Sequence, residues 1–215
     1  MAILVACLTL QAATPSLPSG IVDVQYSTAT DPSSPTFGKI VMVSSDKNLY
    51  VCDPETGACQ PPVSLSQVPL GVSISPDGTH VAVMESGSVD YVDLQSQAVQ
   101  PIPMWITSGS IVLTATDIYI FPSSGSGPIA AYLQFGPPYG FAPTTGFEQG
   151  NSSARLDPNT TANAIYGIRN DVVPSSLFEA QLSPYGFSTL PTYGASSSTY
   201  RVCGNIWFSP DGNSI

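Results

Sequence analysis

The sequence predicts an all-β fold, on three observations. No segment of the 215-residue chain keeps its apolar residues at the helical spacing of about 3.6. The apolar runs are instead short, rich in Val, Ile and Tyr, and separated by turn-forming residues. They recur in groups with a period of about forty residues, which is typical of the four-stranded blades of a β-propeller. We therefore expect antiparallel blades arranged around a common axis.

Each expected strand is a β-branched or aromatic run bounded by Gly, Pro, Asn, Asp or Ser. In chain order, the clearest runs are Lys39 to Val43, Asn48 to Cys52, Gly71 to Ile74, His80 to Met84, Ser88 to Val92, Ser110 to Ala115, Asp117 to Phe121, Ile129 to Phe135, Ala162 to Ile168, Ser176 to Leu182 and Gly204 to Phe208. Residues 10–36 and 136–155 are rich in Pro, Gly and Ser. This composition predicts a linker and a long loop there.

The internal repeat is visible in two places. A shift of about forty residues lays "VCDPETGACQPP" (51–62) over "YVDLQSQAVQPI" (91–102) and aligns Asp53 with Asp93. The tetrapeptide Ser-Pro-Asp-Gly occurs at 75–78 and again at 209–212. Asp-Gly favours a tight hairpin turn because both residues tolerate positive φ. Asp77 and Asp211 are therefore expected to be turn residues rather than chemical groups.

These units resemble a known group of repeats. "SPDGTHVAVMESGSVDYVDLQSQ", "DKNLYVCDPETGAC" and "YRVCGNIWFSPDG" are similar to blades of bacterial extracytoplasmic propellers of the YVTN type, distant relatives of WD40 repeats. The resemblance covers roughly residues 37–215 and extends to secreted members of unassigned activity. It implies a ring of six to eight blades, usually seven, and no particular reaction.

Blade-like units begin near residues 37, 68, 105 and 150, and a fifth begins near 199. Because seven blades need roughly 280 residues at about forty each, we expect this chain to be an incomplete, N-terminal part of a seven-bladed ring. The alternative is that four to five units close into a small propeller.

The N-terminal segment has the features of an export signal. Residues 1–20 contain an apolar stretch followed by small residues, as in a signal peptide, although the positive n-region is missing. "LVAC" ending at Cys7 also resembles a lipobox, which makes Cys7 a lipidation candidate. A buried first strand is the alternative. We expect a linker at 21–36, propeller blades at 37–215, and an extracytoplasmic location: secreted, periplasmic or at the cell surface. The apolar stretch is too short to span a membrane.

Two of the four cysteines flank a turn-rich loop. Cys52 and Cys59 enclose "DPETGA" between two strand-like runs, so they are expected to form a disulfide in an exported protein. In the cytosol they would be two reduced thiols. Their spacing does not match a zinc site.

Charge and motif content exclude several functions. The net charge is −10 with only five basic residues, so the cationic patch that nucleic-acid binding needs is missing. His80 is the only histidine, and no catalytic, phosphate-binding or dinucleotide motif occurs. We expect no catalytic residue and no cofactor. A calcium site made by channel carboxylates is the alternative to simple solvated acids; the candidates are Asp90, Asp93, Asp117, Asp157, Asp171 and Glu179.

Aromatic residues in two Gly/Pro-rich loops are the candidate ligand contacts. These are Tyr139 and Phe141 in the first loop and Tyr185 and Phe187 in the second. Exposed rings suit sugar stacking or peptide docking, while packing between blades is the alternative. The function expected overall is an exported, non-enzymatic propeller that binds a protein or glycan or serves as a scaffold. The alternative is a lactonase-like or lyase-like enzyme that uses channel carboxylates and a divalent metal.

Overall fold

The structure, a computed structural model, describes part of the chain in full and part as backbone strands. Backbone and side chains are described for residues 18–115 and 117–122. Beyond these, the strands within 128–134, 141–148, 151–156, 164–169, 176–183, 186–189 and 193–194 are described, with the side chain of Ile165. All of these residues lie in strands, turns or loops, and none lies in a helix. The all-β prediction is thus confirmed.

The strands form four antiparallel sheets that follow one another along the chain. The first sheet contains β1 (Ile21–Tyr26), β2 (Ile40–Ser44), β3 (Asn48–Cys52) and β4 (Val63–Ser64). The second sheet contains β5 (Pro69–Ile74), β6 (His80–Glu85), β7 (Ser88–Asp93) and β8 (Ala98–Pro103). The third sheet contains β9 (Gly109–Leu113), β10 (Asp117–Pro122), β11 (Pro128–Gln134) and β12 (Phe141–Glu148), and the fourth contains β13 (Asn151–Leu156), β14 (Ala164–Arg169), β15 (Ser176–Ser183), β16 (Gly186–Thr189) and β17 (Tyr193–Gly194). Each sheet is a meander, except that β17 pairs with β15.

The sheets pack face to face, and β6 shows why the sequence runs apolar at consecutive positions. Val81 and Val83 belong to the core between the first and second sheets. Ala82 and Met84 belong to the core between the second and third sheets. Because successive side chains of a strand point to opposite faces, a strand buried on both faces favours apolar residues at consecutive positions.

The first strands of the four sheets lie next to one another in space. β1 contacts β5, β5 contacts β9, and β9 contacts β13. β5, β9 and β13 begin at Pro69, Gly109 and Asn151, forty and forty-two residues apart. Four-stranded meanders that stack radially around their first strands are the blades of a propeller.

The structure departs from the expected linker and long loop. The expected linker at 21–36 contains β1, and the expected loop at 136–155 contains β12 and most of β13. β1 is itself rich in β-branched residues, but Pro and Ser dominate the residues around it. β12 contains Pro143, which is tolerated because β12 is the edge strand of its sheet. The first blade therefore begins at Ile21 rather than near residue 37. The run Gly204 to Phe208 and the second Ser-Pro-Asp-Gly lie outside the described residues.

Candidate functional site

Blade connections and hairpin turns meet at one end of the sheets. The connectors 65–68 and 104–108 lead into β5 and β9, and the turns 45–47 and 86–87 join β2 to β3 and β6 to β7. We call these four segments, together with the first residues of β1 and β5, the connector end. Backbone hydrogen bonds tie each connector to a turn: Leu65 N–H donates to Lys47 O over 2.9 Å, and Met104 N–H donates to Gly87 O over 2.9 Å.

Exposed apolar side chains concentrate at the connector end. Those described here are Ile21, Val22, Val68, Leu70 and Trp105. Trp105 has 58% of its surface exposed, the largest fraction among the exposed large hydrophobic residues of the described chain. Its neighbours are fixed on both sides, because Met104 and Ile106 are both bonded to Gly87. The indole is therefore presented to solvent by a held backbone, and such apolar exposure is typical of interaction sites.

A buried pair of carboxyl groups lies beneath this surface. Glu85 ends β6, Asp90 lies in β7, and neither is exposed at all. Asp90 accepts the backbone N–H of Ser66 at 2.6 Å and its hydroxyl at 2.9 Å. Glu85 accepts the N–H of Gln67 at 2.8 Å and the hydroxyl of Ser88 at 2.8 Å. The pair thus fixes the connector 65–68 to the second blade.

Burial controls the protonation of this pair. Removal from water disfavours the charged form and raises the pKa of Glu85. The hydrogen bonds from Gln67 and Ser88 oppose this shift, and the charge of Asp90 reinforces it. Glu85 therefore keeps its proton to a higher pH than an ordinary glutamate.

The inner edges of the first strands are capped by side chains of the preceding blade. Asp23 accepts the N–H of Val72 at 3.0 Å, and Gln25 accepts the N–H of Ile74 at 2.9 Å. One blade later, Ser73 Oγ accepts the N–H of Leu113 at 2.8 Å. A first strand has no neighbour in its own sheet on that side, so these side chains satisfy donors that a bare edge would leave unpaired.

The other end carries the Ser-Pro-Asp-Gly turn. Gly78 has a φ of 70°, its N–H donates to Ser75 O over 2.8 Å, and Asp77 accepts the N–H of Thr79 at 3.1 Å. The turn contacts the first blade, because Thr36 Oγ1 donates to Gly78 O over 3.0 Å. Asp77 is thus engaged within the turn.

His80, next to this turn, stacks on Tyr91 with ring centroids 5.0 Å apart. Its Nε2 lies 3.9 Å from Asp93 Oδ2, and its Nδ1 lies 2.7 Å from Thr79 Oγ1. Burial, followed by the charges of Asp77 and Asp93, raises the pKa of Tyr91 to about 12. The histidine is thus held by its chain neighbour and by the adjacent strand, and its contacts are those of a packed hairpin residue.

The loop enclosed by the two cysteines lies at the same end as this turn. Cys52 and Cys59 are joined as a disulfide with Cα atoms 4.0 Å apart. Beside them, Lys39 Nζ lies 2.6 Å from Asp53 Oδ2. Hydrogen bonding to Lys39, helped by the N–H of Thr56, lowers the pKa of Asp53 to about 2.

The remaining candidates fall in less described parts of the chain. Cys7, Tyr139 and Tyr185 lie outside the described residues, as do Asp157 and Asp171. Phe141 lies in β12, Phe187 in β16 and Glu179 in β15, where the backbone alone is described. Among the fully described residues, no group of three or more His, Cys, Asp or Glu side chains is placed to hold a metal.

Sequence reasoning missed two residues of the connector end. Glu85 interrupts an apolar run, and a charged residue inside a run buried on both faces was the available signal. Trp105 follows two prolines at a blade boundary, in a segment where no strand was expected. Its exposure depends on the connector geometry and had no signal in the sequence.

Comparison with solved structures supports the propeller architecture. The chain matches Kuenenia stuttgartiensis hydrazine synthase with a TM-score of 0.59 and 14% identity, over 82% of this chain and 49% of that chain. It matches U3-55K with a TM-score of 0.58 and 11% identity, over 81% of this chain and 52% of that chain. Both are β-propeller proteins. The chain thus spans about half the length of each. No protein-family model matches it, and no curated protein matches it in sequence.

The sheets and these likenesses define the class: the chain is a β-propeller module made of four-stranded antiparallel blades. Within the part of the chain that the structure describes, no helix is long and apolar enough to cross a bilayer.

Proposed function

We propose that this propeller is an exported, non-enzymatic binding module of the YVTN type, and that its connector end binds a partner protein. One observation carries the proposal. Exposed Trp105, Val68 and Leu70 lie on or next to connectors whose backbones are hydrogen-bonded to hairpin turns. A backbone that is already ordered loses little entropy on binding, and tryptophan is enriched at the centres of protein interfaces.

The chemistry of the surface favours a protein over a glycan. A sugar site needs polar groups around the aromatic ring to bond hydroxyls, whereas aliphatic Val68, Leu70 and Val22 suit apolar side chains. The net charge of −10 favours a partner that is neutral or basic. The disulfide and the signal-like N-terminus support an exported location.

The test uses a displayed library of random peptides and, in parallel, a glycan array, with the whole chain as probe. We expect peptides with apolar and basic residues to be enriched. Trp105→Ala should weaken a selected peptide by about 2 kcal/mol or more, roughly thirtyfold in Kd, because interface tryptophans commonly contribute that much.

A matched control comes from the opposite end. Phe37 is also exposed, at 44%, and Phe37→Ala should leave peptide binding unchanged. Equal losses in the two variants would mean that binding is nonspecific. Retention of binding by Trp105→Ala would place the site elsewhere, and enrichment of glycans alone would replace the protein partner with a sugar.

A further inference from the structure

We propose that Glu85 and Asp90 form a proton-controlled latch that locks the connector 65–68, and with it part of the binding surface. The inference rests on the proposed function, since it assigns a means of regulation to that surface. Its physical basis is a buried acid pair that holds a segment joining two blades.

The latch acts on a short segment with few other attachments. Of the four hydrogen bonds to the two carboxyl groups, three come from the connector itself: the N–H and hydroxyl of Ser66 and the N–H of Gln67. Gln67 also donates from Nε2 to Ser88 Oγ over 3.1 Å, and this hydroxyl in turn donates to Glu85. Val68, the next residue, is 46% exposed on the binding surface. Movement of Ser66 and Gln67 would therefore displace Val68.

Among the fully described residues, no Lys, Arg or His forms an ion pair with Glu85 or Asp90. By the alternation of β6, the side chain of Glu85 lies on the same face as Val81 and Val83, towards the first blade. The connector and β5 contain no ionisable side chain. On the first-blade side the ionisable groups are Asp23 of β1, which bonds β5, and the exposed Asp46 and Lys47 of the turn bonded to the connector. The ionisable groups of β7 are Asp90, Tyr91 and Asp93. Tyr91 and Asp93 lie towards the other end of the hairpin, beside His80. Lys47 is the one Lys or Arg of these elements, and it is exposed and forms no ion pair within 4 Å with either carboxyl group.

Two carboxylate charges buried close together, with no cation between them, destabilise each other. Burial and the charge of Asp90 both raise the pKa of Glu85. Because this native-state pKa is raised, the stabilisation is complete below the ordinary value of 4.5 and is lost as the pH rises through the raised value. The second charge then repels Asp90, and the connector is released. The binding surface is thus ordered in acid and loosened towards alkaline pH.

The experiment measures hydrogen exchange of the Ser66 and Gln67 amides, which donate to the pair, in the whole chain, from about pH 5 to about pH 8, corrected for intrinsic exchange. In the wild type, protection should fall by up to about tenfold for each unit by which the pKa of Glu85 is raised. In Glu85→Gln it should stay at the acid-form level, because a neutral amide can still donate to Asp90. The control is Glu55→Gln, which removes the same charge from an exposed loop and should behave as wild type.

Flat protection in the wild type, or an undiminished pH slope in Glu85→Gln, would overturn the latch. If Glu85→Gln does not fold, Asp90→Asn takes its place. Removing the like charge must weaken the dependence of amide protection on pH, and an unchanged dependence overturns the proposal. The measurement needs no ligand, so a failed search for a partner leaves it intact. Peptide binding that depends on Trp105, with a flat exchange profile, would overturn the latch alone.

Discussion

Replacing Gly78 by alanine tests whether the Ser-Pro-Asp-Gly turn is a contact between blades as well as a turn. Two costs add at this position. A φ of 70° costs a non-glycine residue about 1 to 2 kcal/mol. A Cβ there would also collide with Thr36, Ser34 and Ala29 of the first blade, and such overpacking costs about a further 1 to 3 kcal/mol.

Gly38 provides the matched control. Its φ is 64°, but a Cβ there would meet nothing within 4 Å. Gly38→Ala should therefore lower the free energy of unfolding by the backbone cost alone, about 1 to 2 kcal/mol, and Gly78→Ala by about 2 to 5 kcal/mol. The measurement is urea unfolding, with the midpoint and slope fitted separately. Equal losses in the two variants would refute the contact, since the backbone term would then explain both.

Two further stability predictions follow from contacts of single side chains. Ser73→Ala leaves the N–H of Leu113 without its acceptor and should lower the free energy of unfolding in urea by about 1 to 3 kcal/mol. Ser33→Ala removes only an exposed hydroxyl bond to Asp31 and should cost much less, so similar small losses in both variants would mean that the inner-edge cap contributes nothing. Replacing Cys52 and Cys59 together by serine opens a loop with a sequence separation of 7 and should lower the free energy of unfolding by about 2 kcal/mol, measured by thermal unfolding with the wild type as reference. If adding reductant to the oxidised wild type left its melting temperature unchanged, this prediction would be contradicted.

The sequence predicted the central strands of the blades well and the outer strands poorly. β6 and β7 are buried on both faces and hydrogen-bonded on both edges, so their buried positions are mainly apolar or β-branched, and the pattern is visible. β8 is largely exposed and contains Pro101 and Pro103. Because an outer strand needs neither continuous burial nor every N–H, its sequence resembles a loop.

The candidate site was predictable only in part. The paired cysteines gave a signal because their spacing and the turn between them are local features. The buried pair of Glu85 and Asp90 depends on Ser66 and Gln67, which lie some twenty residues away along the chain and become partners because the connector runs along the second blade. Likewise, the surface around Trp105 combines residues from separate connectors. A pattern confined to one segment contains neither arrangement.

The caps along the inner edge have a consequence for how such a protein can lengthen. Gln25 and Ser73 occupy the same register in consecutive blades, since Tyr26 pairs with Ile40 as Ile74 pairs with Val81. Each caps the blade that follows its own. A blade copied in tandem therefore brings the acceptor for its successor, so duplication preserves the inner edge without a compensating substitution. At the same register the third blade has Val112, paired with Tyr119, and this side chain offers no acceptor. Any blade inserted directly after it would need another way to satisfy its inner edge, so duplication is expected to be better tolerated after the first or second blade than after the third.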